Sequence, residues 1–103
     1  MIIKHLCFSI LSISLFLLVS GGANAVDVEA GRVLATRCAV CHGVDGEGHG
    51  VPKSKISGMS IDEFTKLVHL YKNGVRRNYM MEKFTKKLSE QDIENLAAFY
   101  ATK

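Results

Sequence analysis

The pentapeptide Cys38-Ala39-Val40-Cys41-His42, set in the stretch RCAVCHGVDGEGHG, constrains this chain more than any other feature. Two thiols separated by two residues, with an imidazole directly after the second, admit three chemistries. They can form a redox dithiol, half of a zinc clip, or the covalent attachment point of a haem. The surrounding sequence decides among them.

The N-terminus narrows the choice. Lys4 precedes the apolar run LCFSILSISLFLLVS and then GGANAV, in which Ala23 and Ala25 make an A-x-A cleavage signal. Residues 1–25 are therefore expected to be a secretory signal peptide, which places the remainder in the periplasm. The rival is an uncleaved membrane anchor. The run is near the lower limit for spanning a bilayer and carries four serines, which favours the signal. Residues 26–103 then form one small domain, and a core of that size needs a staple. Cys7 leaves with the signal, so Cys38 and Cys41 are the only remaining thiols, and a bridge between them closes too short a loop to serve. The charge balance, 13 Lys and Arg against 10 Asp and Glu, carries no basic excess of the kind nucleic-acid binding requires.

Three segments show helical periodicity, and no alternating strand pattern of useful length exists, so the expected class is all-α. The first helix runs from about Val28 to Arg37, with Asp27 as its cap. Gly31 in its middle costs about 1 kcal/mol relative to alanine, which reads as a notch for a close helix neighbour. The second begins at Ser60, with Glu63 completing a capping box and Met59 stapled to Phe64. Ile61, Phe64, Leu67, Val68 and Tyr71 form its apolar stripe, and Asn73-Gly74 ends it. The third is capped by Ser89 with Asp92, stapled by Leu88 and Ile93, and points Ile93, Leu96, Ala97 and Tyr100 one way. Glycines from Gly43 to Gly58 mark a long loop between the first two.

A thioredoxin-like dithiol needs a strand and a βαβ frame, which are missing. A structural zinc needs four ligands, commonly as two separated pairs, whereas adjacent Cys41 and His42 are awkwardly spaced for one tetrahedral ion. C-x-x-C-H in an exported domain suits c-type haem. Cys38 and Cys41 would bond the porphyrin edge and His42 would be the proximal iron ligand, while the haem supplies the missing staple. Candidates for the sixth ligand are Met59, Met80, Met81, His49 and His69. Met59 has a role as a staple, His69 lies beside the stripe, and His49 is too near the attachment loop. NYMMEKF, in the loop before the last helix, remains, with Met80 and Met81 both open.

CAVCHGVDGEG together with YKNGVRRNYMMEKFTKKLSEQDIENLAAFYATK resembles the small periplasmic class I c-type cytochromes. Within them the chain is similar to the cytochrome subunit of flavocytochrome c sulfide dehydrogenase and to the halves of dihaem cytochromes. The resemblance implies a cytochrome c-like fold of three main helices around one covalent haem c. It implies Met81 as the sixth ligand, since the family's methionine lies seven positions before the leucine preceding the last serine cap, with Met80 as the fallback. It also implies that Gly31 packs against Phe99 or Tyr100, and that the Pro52 carbonyl holds the ring N–H of His42.

The function that follows is one-electron transfer rather than catalysis, by a free-standing periplasmic carrier or the carrier subunit of an oxidoreductase. The partner expected is a redox protein such as a flavoprotein, reductase or oxidase, met by a collar of Lys72, Arg76, Arg77, Lys83, Lys86 and Lys87. The alternative is a ligand-binding or peroxidase-like haem protein with a displaceable methionine.

Overall fold

The computed structural model describes residues 25–103, so the expected signal peptide and Cys7 lie outside the described residues. Four α-helices follow in order: α1 (Val28–His42), α2 (Ile61–Lys72), α3 (Tyr79–Thr85) and α4 (Glu90–Ala101). Two short 3-10 turns, Gly48–Gly50 and Pro52–Ser54, lie between α1 and α2, and there is no strand among the described residues. The protein is all-α as expected, with three main helices and one short addition.

Helix α1 starts where Asp27 accepts the Ala30 N–H at 3.0 Å, while the Asp27 N–H donates to Asn95 Oδ1 of α4 at 2.8 Å. The same residue thus caps one helix and ties it to another. The expected end at Arg37 is corrected: α1 continues through Cys38, Cys41 and His42. Nothing between Arg37 and His42 breaks a helix, and the first residue that can is Gly43, at φ 88°. Its N–H closes the last turn on the Ala39 carbonyl at 2.8 Å.

Helix α2 is capped by Ser60 Oγ, which accepts from the Glu63 N–H at 3.2 Å, although among the described residues the return bond of the expected capping box is not formed. Its expected stripe divides. Phe64 and Val68 are buried in the core, Leu67 and Tyr71 are only partly covered, and Ile61 is 50% exposed at the helix start. Helix α3 corrects the expectation of a loop around the methionines. Asn78 Oδ1 accepts the Met81 N–H at 3.0 Å and starts a seven-residue helix, too short for periodicity to reveal.

Helix α4 is the centre of the molecule. Ser89 and Asp92 form the full capping box, with bonds of 3.0 and 2.9 Å. Beyond it Ile93, Leu96, Ala97 and Tyr100 are inaccessible to solvent, and they form one core cluster with Ala35 of α1 and Phe64 and Val68 of α2. Tyr100 stacks on Phe64 at 5.5 Å between ring centroids and meets Phe99 edge-on at 5.0 Å. His69 Nε2 lies 2.8 Å from Glu90 Oε2, and Lys72 Nζ donates to the Leu88 carbonyl at 2.6 Å; both contacts fasten α2 to the start of α4.

The notch at Gly31 is where α1 and α4 meet. A Cβ there would overlap the Asn95 carbonyl oxygen and come within 3.0 Å of Phe99 Cβ. Phe99 is therefore the aromatic partner, whereas Tyr100 faces Gly46 and Phe64. A backbone carbonyl cannot rotate away as a side chain can. Gly31→Ala is accordingly expected to destabilise the protein by about 1–3 kcal/mol despite alanine's better helix propensity. Denaturant unfolding measures this, and an unchanged or raised midpoint would contradict the close approach.

Candidate functional site

The extension of α1 sets the geometry of the cysteine motif. On a helix, Cys38 and Cys41 are three residues apart and so share one face. Cys38 is half-buried against the core, Cys41 is exposed, and neither is in a disulfide. Burial pushes the Cys38 thiol up, against smaller pulls from the Tyr100 hydroxyl and Arg37.

His42 is the last residue of α1, and its Nδ1 lies 2.6 Å from the Ser54 carbonyl oxygen. A carbonyl can only accept, so Nδ1 carries the proton and donates it. The lone pair of a neutral ring is then on Nε2, available to a metal. This corrects the expectation for Pro52. The Pro52 carbonyl is engaged by the Lys55 N–H at 3.3 Å, closing the 3-10 turn. The turn instead delivers the carbonyl two residues later, at Ser54, to the imidazole. The reach was right and the residue was not.

Both cysteines and His42 line a cavity of about 580 Å³. Its apolar walls include Leu34, Ile56, Leu67, Val68 and Leu96, and Met59, Met80 and Met81 also reach it. Met59 therefore faces the cavity as well as packing on the core, a role its reading as a staple did not include. Met80 is 45% exposed and Met81 less so, and both belong to α3, where the Asn78 cap fixes the backbone of Met81. His49 and His69 are not among the lining residues: His49 contacts the Ala39 carbonyl at 3.3 Å and His69 faces Glu90.

The charges are one-sided. Arg37, Lys53, Lys55 and Arg76 line the cavity and no carboxylate does. Arg76 is held with its guanidinium 5.3 Å above the Tyr71 ring, a cation–π contact. Sequence reasoning missed Lys53, Lys55, Tyr71 and Ser54 as parts of the site. The first three gave no more signal than any surface lysine or stripe aromatic, and a backbone carbonyl gives none at all.

This setting fits a haem. The volume and apolar lining suit a medium-sized flat ligand. Two thiols at C-x-x-C spacing match porphyrin attachment, imidazole and thioether are iron ligands, and the unopposed cations suit a group bearing carboxylates. A zinc site is not formed: among the described residues no three His, Cys, Asp or Glu side chains are grouped to hold an ion.

Comparison with known proteins agrees. The family described as cytochrome C oxidase, cbb3-type, subunit III matches residues 27–99. Cytochrome c-553 of Helicobacter pylori is 40% identical over 81 residues, covering 78% of this chain and 84% of that protein. Cytochrome c-554(548) of Halomonas halodenitrificans is 30% identical over 81 residues, covering 76% of this chain and 98% of its own length. Cytochrome c4 of Pseudomonas aeruginosa is 33% identical over 94 residues, covering 90% of this chain, which spans 47% of that longer protein. The chain belongs to the class I c-type cytochromes, electron carriers with covalently bound haem c.

Proposed function

We propose that this cytochrome is a periplasmic one-electron carrier, exported by a leader removed after Ala25. Cys38 and Cys41 would bond its single haem, and His42 and Met81 would ligate the iron. The observation that carries the reading is that these four side chains line one cavity. Met81 is preferred to Met80 because it is the less exposed of the two and its backbone is fixed by Asn78. When bound, the haem supplies reversible one-electron exchange at its iron.

The chain's own residues govern how that exchange runs. The Nδ1–H of His42, given to the Ser54 carbonyl, holds the ring in one orientation and raises its basicity as a ligand. Leu34, Leu67, Val68 and Leu96 keep water from the cavity walls. With His42 and Met81 both holding the iron, the haem would supply electron exchange and not substrate chemistry, which is the basis for reading the protein as a carrier and not a catalyst. It acts free-standing or as the carrier subunit of an oxidoreductase. No helix among the described residues is long and apolar enough to cross a membrane.

The surface around α3 supports an acidic redox partner. Val75 and Tyr79 are 72% and 77% exposed, with Met80 and Phe84 beside them in sequence. Of the basic collar, Lys72 and Arg77 are taken by Glu90 and Glu82. Arg76 is held over Tyr71 at the cavity, which leaves Lys83, Lys86 and Lys87 with no ion pair among the described residues. An apolar centre flanked by free cations suits a partner with a carboxylate-ringed patch.

Mass spectrometry of the exported protein is expected to show residues 26–103 plus one haem. Met81→Ala is expected to abolish the weak far-red band of methionine–iron coordination and to admit carbon monoxide at once, while Met80→Ala leaves both unchanged. The reverse pattern would make Met80 the ligand, and rapid carbon monoxide binding by the unsubstituted protein would favour the ligand-binding alternative. Oxidation of the reduced protein by anionic hexacyanoferrate(III) is expected to slow as salt is raised, and oxidation by a cationic ruthenium ammine to quicken. The double change Lys86→Glu, Lys87→Glu should weaken both trends.

A further inference from the structure

Lys72, the last residue of α2, turns its ammonium inward rather than to solvent. Its Nζ donates to the Leu88 carbonyl at 2.6 Å, and the side chain is only 25% exposed. Glu90 lies farther off, at 3.8 Å, and is itself 67% exposed, so water screens that pair and the carbonyl is the principal partner. A lysine at a helix C-terminus complements the dipole from solvent just as well. Ordering its long stem to reach an uncharged oxygen therefore needs a further reason.

The reason lies in what Leu88 follows. Between α2 and α4 the chain makes one excursion, residues 75–88, which carries α3 and with it Met80 and Met81. Its near end is fastened to the last turn of α2, where the Leu70 carbonyl accepts the Val75 and Arg76 N–H groups, each at 2.9 Å. Its far end is Leu88, whose N–H returns to the Thr85 carbonyl at 3.1 Å and whose own carbonyl takes Lys72. Both ends of the excursion thus meet the same turn of α2. The helix between them has little grip of its own: Thr85 is its buried residue, while Tyr79, Met80, Lys83 and Phe84 are exposed. Thr85 and Leu88 line the cavity alongside the two methionines.

On the reading that a methionine of α3 is the sixth iron ligand, we infer that Lys72 is its positioning residue. The bond to the Leu88 carbonyl clasps the excursion shut and keeps α3 against the cavity, whichever of Met80 and Met81 meets the iron. Without Lys72 that partly buried carbonyl loses its partner and the far end is freed, so α3 opens locally while the α1–α4 core stays folded.

In the reduced, haem-loaded protein, carbon monoxide binds only while the methionine is off the iron, so its binding rate reads this opening. Lys72→Met keeps the stem and removes the donor, and is expected to raise that rate about tenfold, the value of one hydrogen bond to a charged group. Lys72→Arg restores a donor and should return the rate towards that of the parent. His69→Ala is the control for plain fastening, because its contact joins α2 to α4 itself at Glu90. It is expected to lower the denaturant midpoint and to leave the carbon monoxide rate within about twofold of the parent.

A Lys72→Met rate equal to that of the parent would overturn the inference, as would an equal rise in His69→Ala. If Lys72→Met does not fold, labelling of the unsubstituted protein decides. Coupling is reciprocal, so with carbon monoxide in place of the methionine, Lys72 should react with acetic anhydride several times faster than without it, with exposed Lys66 as the reference. Unchanged labelling would overturn the inference too. Failure of the underlying reading looks different: the unsubstituted protein would lack the far-red methionine band and take up carbon monoxide at once.

Discussion

The crossing of α1 and α4 at Gly31 carries the rest of the molecule. Helix α1 bears the two cysteines and the histidine at its far end, and α4 bears most of the solvent-inaccessible core. Only a residue without a side chain lets the two backbones approach until the Asn95 carbonyl sits against the Gly31 α-carbon. From that contact the position of Cys38, one turn beyond Ala35 on the core-facing side, follows. Asn95 reinforces it by accepting the Asp27 N–H, so one α4 residue touches the start of α1 with both its backbone and its side chain.

This core is nevertheless incomplete. Phe64 and Val68 pack on α4, yet Leu67 and Tyr71 of the same helix turn to a cavity that Leu34, Met59 and Leu96 also line. Apolar side chains facing so large a space are a loss for a small domain unless something apolar fills it. Haem c suits that space, and the attachment proposed at the two cysteines of α1 would join it to the helix pair that holds the fold. Cofactor binding and folding are here one problem, which is why the domain has so little core of its own.

The imidazole shows how local structure and site depend on each other. Gly43 ends α1 directly after His42, and the glycine-rich loop beyond it returns the chain as a 3-10 turn whose last carbonyl meets Nδ1. The family resemblance foresaw a carbonyl from this loop but named Pro52. Proline opens the turn, and its own carbonyl is spent in closing it, so the free acceptor is at the turn's end. Which carbonyl is free depends on the turn's hydrogen bonds, and these leave no trace in residue type.

Much of the fold was legible because caps and stripes are local. Asp27, Ser60 and Ser89 are helix starts by their own chemistry, and Phe64, Val68, Ile93, Leu96 and Ala97 fall where 3.6-residue spacing puts a buried face. The length of α1 was misjudged because a helix ends where a breaker stands, and a cationic residue such as Arg37 is only a preference. Helix α3 was missed because seven residues give periodicity too little room, although Asn78 was a usable cap signal.

The sequence by itself determined the cofactor chemistry, since two cysteines and a histidine at fixed spacing admit few alternatives, and it determined the all-α class through caps and periodicity. Only the tertiary structure decided which carbonyl orients His42, which aromatic meets Gly31, which basic residues face the cavity and where the Tyr100 hydroxyl lies buried. Those outcomes depend on contacts between residues dozens of positions apart. Such contacts are fixed by how helices pack in space, which no local pattern encodes.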